Sequence, residues 1–148
     1  MVIRVIGAFL AVVCFSILLE MPLRQVLYAG FVGGIGWMMY LLVGVRGSDV
    51  AAAFVSSLVI ALLCHILARI FKMPVTVYFV AGILPSVPGA SIYRAVLYLI
   101  QGKTGLSNYY MVQTLQIAGA IAMAIFIMDS LFRVGKKERC PLRRQTEE

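Results

Sequence analysis

The stretch GILPSVPGASIYR, residues Gly82 to Arg94, puts two prolines, two glycines and an arginine inside an apolar run that extends from Val75 to about Gln101. As one straight helix, that run would be about 40 Å long at 1.5 Å per residue. The hydrocarbon core of a bilayer is only about 30 Å thick. The segment must therefore be tilted, protruding or broken, and Pro85, Pro88 and Gly89 supply a break near its middle.

The surrounding composition makes the bilayer the relevant solvent. The chain has 148 residues, of which 62% are hydrophobic and only 13% charged, too little polar surface to cover a soluble core. The net charge of +7 raises the question of nucleic acid, but its distribution argues against such a partner. Arg133, Lys136, Lys137, Arg139, Arg143 and Arg144 crowd into a short C-terminal tail, the pattern of a cytoplasmic flank in contact with anionic lipid head groups. The expected fold is an all-α integral membrane protein, a bundle of about five transmembrane helices with the fourth broken. Residues 1–132 form the bundle and 133–148 a basic cytoplasmic tail.

Outward from the break, the remaining spans are set by apolar runs and turn residues. The first runs from Val2 to Leu19; Arg4 before an apolar run imitates a secretory signal, but no A-x-A site follows, and we read it as a retained span. After the turn Glu20–Arg24, the second runs from Gln25 to Val45 and carries Gly30, Gly33, Gly34 and Gly36. Gly30 and Gly34 make a G-x-x-x-G pair suited to close helix approach. The third runs from Val50 to Ile70, with Ala53, Ser57 and Ala61 as a small-residue stripe. The fifth runs from Asn108 to Phe132, with Ala118/Ala122 and Ala120/Ala124 at the same spacing and Tyr109 and Tyr110 at its start, where an interfacial aromatic belt would lie.

Five spans place the ends on opposite sides. Arg24, Arg69, Lys72 and the tail then share one side, against Arg4, Arg46 and Lys103 on the other. The positive-inside rule gives N-terminus outside, C-terminus cytoplasmic, in the cell (plasma or inner) membrane. A re-entrant hairpin in place of the fourth span would split these positive clusters across the membrane, so a broken full span is expected.

An interior proline removes a backbone donor and costs a helix about 3 kcal/mol. The polar groups it frees cannot face lipid and must be buried or line a wet cavity. A second half-helix starting near Gly89 directs its N-terminal amides, with a partial positive charge, toward the middle of the membrane, where they suit a carboxylate. Secondary transporters build sites this way. Arg94 follows about one and a half turns later, able to pair with an anion in bidentate fashion or to snorkel or pair with another helix. Ser86, Ser91 and Tyr93 offer neutral hydrogen bonds; the serines serve equally to cap the freed backbone. The candidate substrate-binding residues are Pro85, Ser86, Pro88, Gly89, Ser91, Tyr93 and Arg94.

GILPSVPGASIYR resembles the I-P-x-x-P-G-x-x-x-Y signature of the threonine/serine exporter family, specifically its small, C-terminal-half domain. MPLR at 21–24 and GGIGW at 33–37 resemble that domain's P-x-R turn and Gly-rich second helix. The resemblance covers nearly the whole chain, from about Val5 to the basic tail. It implies export of small hydrophilic metabolites, threonine and serine foremost, with succinate associated with some two-protein versions. It also implies a larger membrane subunit of the same family, encoded nearby, as partner.

Other residues carry weaker signals. Asp129 is a candidate proton relay, but Arg133 stands four residues on, at the spacing of a local ion pair. His65, the single histidine, has no carboxylate beside it and reads as a packed or interfacial side chain. Cys14, Cys64 and Cys140 share no metal-ligand spacing, and no nucleotide-binding, metalloprotease or hydrolase motif is present. The sequence therefore predicts no enzyme, no cofactor and no metal. It predicts a transport subunit whose partners are the lipid bilayer, an amino acid or dicarboxylate, and the larger subunit. The alternative is a structural membrane subunit that stabilises that partner without touching substrate.

Overall fold

The computed structural model of the chain describes residues 2–45 and 47–137, with side chains as far as Arg133. Six helices follow one another: α1 (Val2–Leu18), α2 (Leu23–Gly44), α3 (Asp49–Phe71), α4 (Val75–Ile83), α5 (Gly89–Ile100) and α6 (Thr104–Lys137), with a single 3-10 turn, Leu84–Ser86, between α4 and α5. No strand occurs among the described residues. The chain is an all-α membrane bundle, as its composition predicts.

The turns are built from a repeated device. Glu20 (φ 55°) and Lys72 (φ 53°) sit in the left-handed region just past α1 and α3. The next amides turn back into the helices, Met21 to the Ser16 carbonyl at 3.2 Å and Met73 to the Ala68 carbonyl at 3.1 Å. These are Schellman-type ends. Pro22 and Pro74 follow and become the N-caps of α2 and α4, where a missing amide costs nothing. At the opposite end Ser48 caps α3 by accepting the Ala51 amide at 3.3 Å.

α2, α3 and α6 are each long and apolar enough to cross a membrane; the pair Val75–Ser86 and Gly89–Ile100 qualifies jointly, bent by 51°. α1, with 17 residues, is about 26 Å long and at the short limit for a span. A break bent by this much occurs in a broken span and in a re-entrant loop alike; here α5 packs on α6 alone, while α4 packs on α2, α3 and α1. α6 starts four residues before the expected Asn108 and runs 34 residues, about 50 Å, well beyond the hydrocarbon thickness. Residues 133–137 thus prolong this helix, and the rest of the basic tail, with Cys140, lies outside the described residues.

Packing centres on α2. Its glycines let neighbours approach to backbone distance: a Cβ on Gly30 or Gly33 would overlap Val13, Phe9 or Val12 of α1, and one on Gly36 would overlap Ile60 of α3. Gly34 differs, since a Cβ there would meet Phe9 at an ordinary 3.7 Å; the close α1 seat is therefore made by Gly30 and Gly33. Val12, Val26, Ala29, Val32, Ile60, Cys64, Tyr78 and Ala81 form the core between α1 and α4. Tyr78, fully buried, donates to Gln25 Oε1 at 2.8 Å. A second cluster, Ala53 with Ile117 and Ile121, joins α3 to α6 and reaches Ile83 at the end of α4.

This packing predicts opposite outcomes at adjacent glycines. Gly33→Ala forces Cβ into the β-branched Val12 side chain and should destabilise by about 1–3 kcal/mol, the usual cost of overpacking. Gly34→Ala should be neutral or stabilising by up to about 1 kcal/mol through helix propensity. Equilibrium unfolding in mixed micelles of the two variants checks both.

Candidate functional site

The break is assembled from backbone that has lost its helical partners. Past the 3-10 turn, Val87 is extended (φ −64°, ψ 132°), and its amide reaches the Leu84 carbonyl only at 3.4 Å. Pro88 (φ −75°, ψ 49°) makes an inverse γ-turn, closed by the Gly89 amide on the Val87 carbonyl at 2.7 Å. α5 then begins with no side-chain cap. Its first return bond is Ile92 N–H to the Pro88 carbonyl at 3.1 Å. The Ala90 and Ser91 amides thus occupy the turn in which a helix leaves its donors without intrahelical partners.

One buried chain of hydrogen bonds ties this break to the bundle. Ser56 of α3 donates its hydroxyl to the Gly36 carbonyl of α2 at 2.7 Å, and Ser86 Oγ lies 3.2 Å from Ser56 Oγ. A serine hydroxyl carries one proton, and that of Ser56 is committed to Gly36, so Ser86 donates to Ser56. Both serines are buried. Gly36 makes this possible twice over: without a side chain it admits Ile60 of α3, and its carbonyl accepts the Ser56 proton. Gly82, one turn before the break, serves the same closeness, since a Cβ there would stand 3.0 Å from Val32 and 3.3 Å from Ile60. The adjacent Ser57 hydroxyl is fully buried and has no hydrogen-bond partner among the described residues.

The predicted site residues separate into two groups. Pro85, Ser86, Pro88, Gly89 and Ser91 surround the break, with Ser86 buried, Gly89 exposed and the others between. An added Cβ on Gly89 meets nothing within 4 Å, so packing does not require a glycine there. Tyr93 is 67% exposed, and Arg94 turns toward α6, its guanidinium 5.7 Å from the Tyr110 ring centroid. Tyr110 lies one turn before Gln113, whose amide donates to Asp49 Oδ2, the first residue of α3, at 2.9 Å. Arg94 therefore stands level with the end of α3 instead of the middle of the bundle, at a depth where a cation reaches water by snorkelling. Ser107 of α6 fixes this part of α5 by donating to the Ala95 carbonyl at 2.8 Å.

Two further expectations can be placed. Asp129 pairs with Arg133 at 2.8 Å. His65 stacks on Phe132 at 4.4 Å, with the Arg69 guanidinium 5.3 Å from the same ring. The residue at the break that sequence reading missed is Ser56. Its neighbour Ser57 was assigned to the small-residue stripe, and the available signal was two adjacent serines in an otherwise apolar span.

A bundle of apolar helices with one broken span and a buried polar chain at the break has the build that secondary transporters use. The match to known proteins is more specific. Residues 4–131 fit the family described as Threonine/Serine exporter, ThrE, and the chain belongs to that family. It is 32% identical over 95 residues to a probable threonine/serine exporter of Mycobacterium tuberculosis, covering 64% of this chain and 18% of that protein. It is 25% identical over 130 residues to a threonine/serine exporter of Corynebacterium glutamicum, covering 88% of this chain and 27% of that protein. The chain thus spans less than a third of the length of either relative. No solved structure matches it.

The serine chain makes a quantitative prediction. In a double-mutant cycle of Ser56→Ala and Ser86→Ala, the coupling energy should be about 0.6 kcal/mol and at most about 1.7, the range of interhelical hydrogen bonds in membranes. Ser56→Ala should be the costlier single change because it strips the Gly36 carbonyl as well. Unfolding of the four species in mixed micelles measures both quantities.

Proposed function

We propose that this chain is a membrane transport subunit that exports a small carboxylate-bearing metabolite, threonine or serine foremost and a succinate-type dicarboxylate second, together with a larger membrane subunit of the same family. The observation that carries the reading is the break itself, a bent span whose second half starts with uncapped amides. In the proposed cycle the substrate carboxylate meets the first turn of α5, where the positive end of the helix favours it. Ser86 and Ser91 stand nearest to supply neutral hydrogen bonds; Tyr93 and Arg94 belong to the outer approach. Alternating access proceeds as α5, which packs on α6 alone, moves about the break against the rest of the bundle, with the Ser86–Ser56–Gly36 chain as the fixed side. The C-terminus is cytoplasmic in this reading.

An anion leaving a cell is driven by an inside-negative potential, worth about 2.3 kcal/mol per charge per 100 mV. A zwitterionic amino acid gains nothing from that field, so uphill export needs a coupled ion, a proton in our reading.

Efflux tests the proposal. Cells lacking this chain and its larger family partner are loaded with labelled serine, threonine or succinate, and efflux is followed with neither, each or both restored. Return of one substrate's efflux only with both supports the proposal; full return with the larger subunit alone, or no return for any substrate, overturns it. In the restored pair, Pro88→Leu with Gly89→Ala should lower efflux at least tenfold while the two chains still co-purify. Loss of the complex instead would favour a purely structural subunit.

A further inference from the structure

At the end of the bundle opposite Arg94, α3 and α6 enclose a groove of about 290 Å³ lined by His65, Ala68, Arg69, Met73, Val75, Asp129, Phe132 and Arg133. It lies far from the break: Arg69 is thirteen residues beyond Ser56 on α3, about 20 Å along the helix. Its chemistry differs from that of the lipid-facing surface. The Asp129 carboxylate and the Arg133 guanidinium are in contact at 2.8 Å, with 44% and 81% of their side chains exposed. The exposed Arg69 lies over one wall, the Phe132 ring, on which His65 also stacks. Two guanidiniums and one carboxylate thus border one open recess at this end of the bundle.

We infer that this groove is a loading site for a free zwitterionic α-amino acid, whose carboxylate is taken by Arg69 and Arg133 and whose ammonium is taken by Asp129. The charge pattern selects this class. A simple amine would face two guanidiniums, and a dicarboxylate would bring its second charge against Asp129. A zwitterion instead inserts into the Asp129–Arg133 pair and replaces each partner with an equivalent one. The pair is exposed, so opening it forfeits little, since exposed ion pairs contribute only about 0–1 kcal/mol. Both new contacts are charge-assisted, and Phe132 presents an apolar wall to the small side chain. This inference rests on the export reading and sharpens it, favouring an amino acid over a dicarboxylate as cargo.

The test is binding to the full chain in phosphatidylcholine nanodiscs, read by saturation-transfer NMR without any transport. The probes are threonine, its methyl ester, which lacks the carboxylate, and 3-hydroxybutyrate, which lacks the ammonium. Threonine should bind about tenfold more tightly than either analogue. Asp129→Asn should bring threonine down to the level of 3-hydroxybutyrate, Arg69→Gln should lower it part of the way to the ester, and Arg69→Gln with Arg133→Gln should bring it down to the level of the ester. Arg69→Lys should keep part of the preference, and unchanged thermal melts would show that the variants fold. Equal binding of the three probes, or threonine binding indifferent to Asp129→Asn and to the double arginine variant, overturns the inference. Loss of threonine binding when phosphatidylethanolamine is added, with no preference over the analogues in its absence, overturns it in favour of a lipid head group. A chain that binds threonine as described yet restores no efflux would refute the export reading and leave the loading site standing.

Discussion

A backbone amide or carbonyl left bare in hydrocarbon costs several kcal/mol, and this fold is organised around the one place where its chain incurs that risk. Pro85 and Pro88 remove donors, the 3-10 turn shortens the ladder, and α5 starts without a cap. The groups released are handled locally where possible, by the weak Val87–Leu84 bond and the γ-turn at Pro88. What local geometry leaves over is held by the rest of the bundle. Ser86 could not be buried unless a polar partner waited at the same depth, and Ser56 waits there only because the Gly36 carbonyl accepts its proton.

The glycines of α2 follow from the same requirement. A hydroxyl on α3 can reach a carbonyl on α2 only if the two helices approach more closely than side chains usually permit, and Gly36 removes the obstacle at the position concerned. Gly82 does so for the end of α4 against Val32 and Ile60, while Gly30 and Gly33 seat α1 on the far side of α2. The tight half of the molecule, α1 to α4, is therefore assembled on small residues. Of the other helices, α6 packs along α3, and only α5 is lightly held. α5 has Ala95 as its one buried residue and touches only α6. A hinge with one densely packed side and one lightly held side is the arrangement that lets two parts of a bundle move about a fixed point.

Much of this was legible in the sequence because bilayer physics leaves few choices. The all-α membrane class, the break at Pro85–Gly89 and the Asp129–Arg133 pair follow from apolar length, proline chemistry and helical spacing, whereas of the five expected spans three qualify by length, and a fourth with the bent pair counted as one. What could not be read was rotation and depth. A G-x-x-x-G pattern nominates Gly30 and Gly34, but which glycine faces the partner depends on how α1 crosses α2, and that crossing selects Gly30 and Gly33. Arg94 was placed by counting residues from the break. The 51° bend carries α5 outward along α6 and brings the arginine level with Asp49, a displacement invisible to hydropathy. Ser56 was hidden because a serine beside a small-residue stripe looks like a spacer until its partner on another helix is known.

The distribution of fixed charge then bears on what such a bundle can carry. Among the described residues Arg94 and Lys103 stand at one end of the bundle and Arg24, Arg69, Lys72 and Arg133 at the other, while the hydrogen bonds of the serine chain involve no charged side chain. A carboxylate moving inward from either mouth exchanges a guanidinium for hydroxyls and the amides of α5, a weaker positive end worth about half a charge. For a dicarboxylate, that exchange must be made twice at once. For an amino acid the ammonium travels with the carboxylate and keeps the pair neutral, so the desolvation that opposes entry is that of a dipole instead of two net charges. In the proposed reading the single half-charge at the break is matched to one carboxylate, the same preference that we propose for Asp129 at the groove.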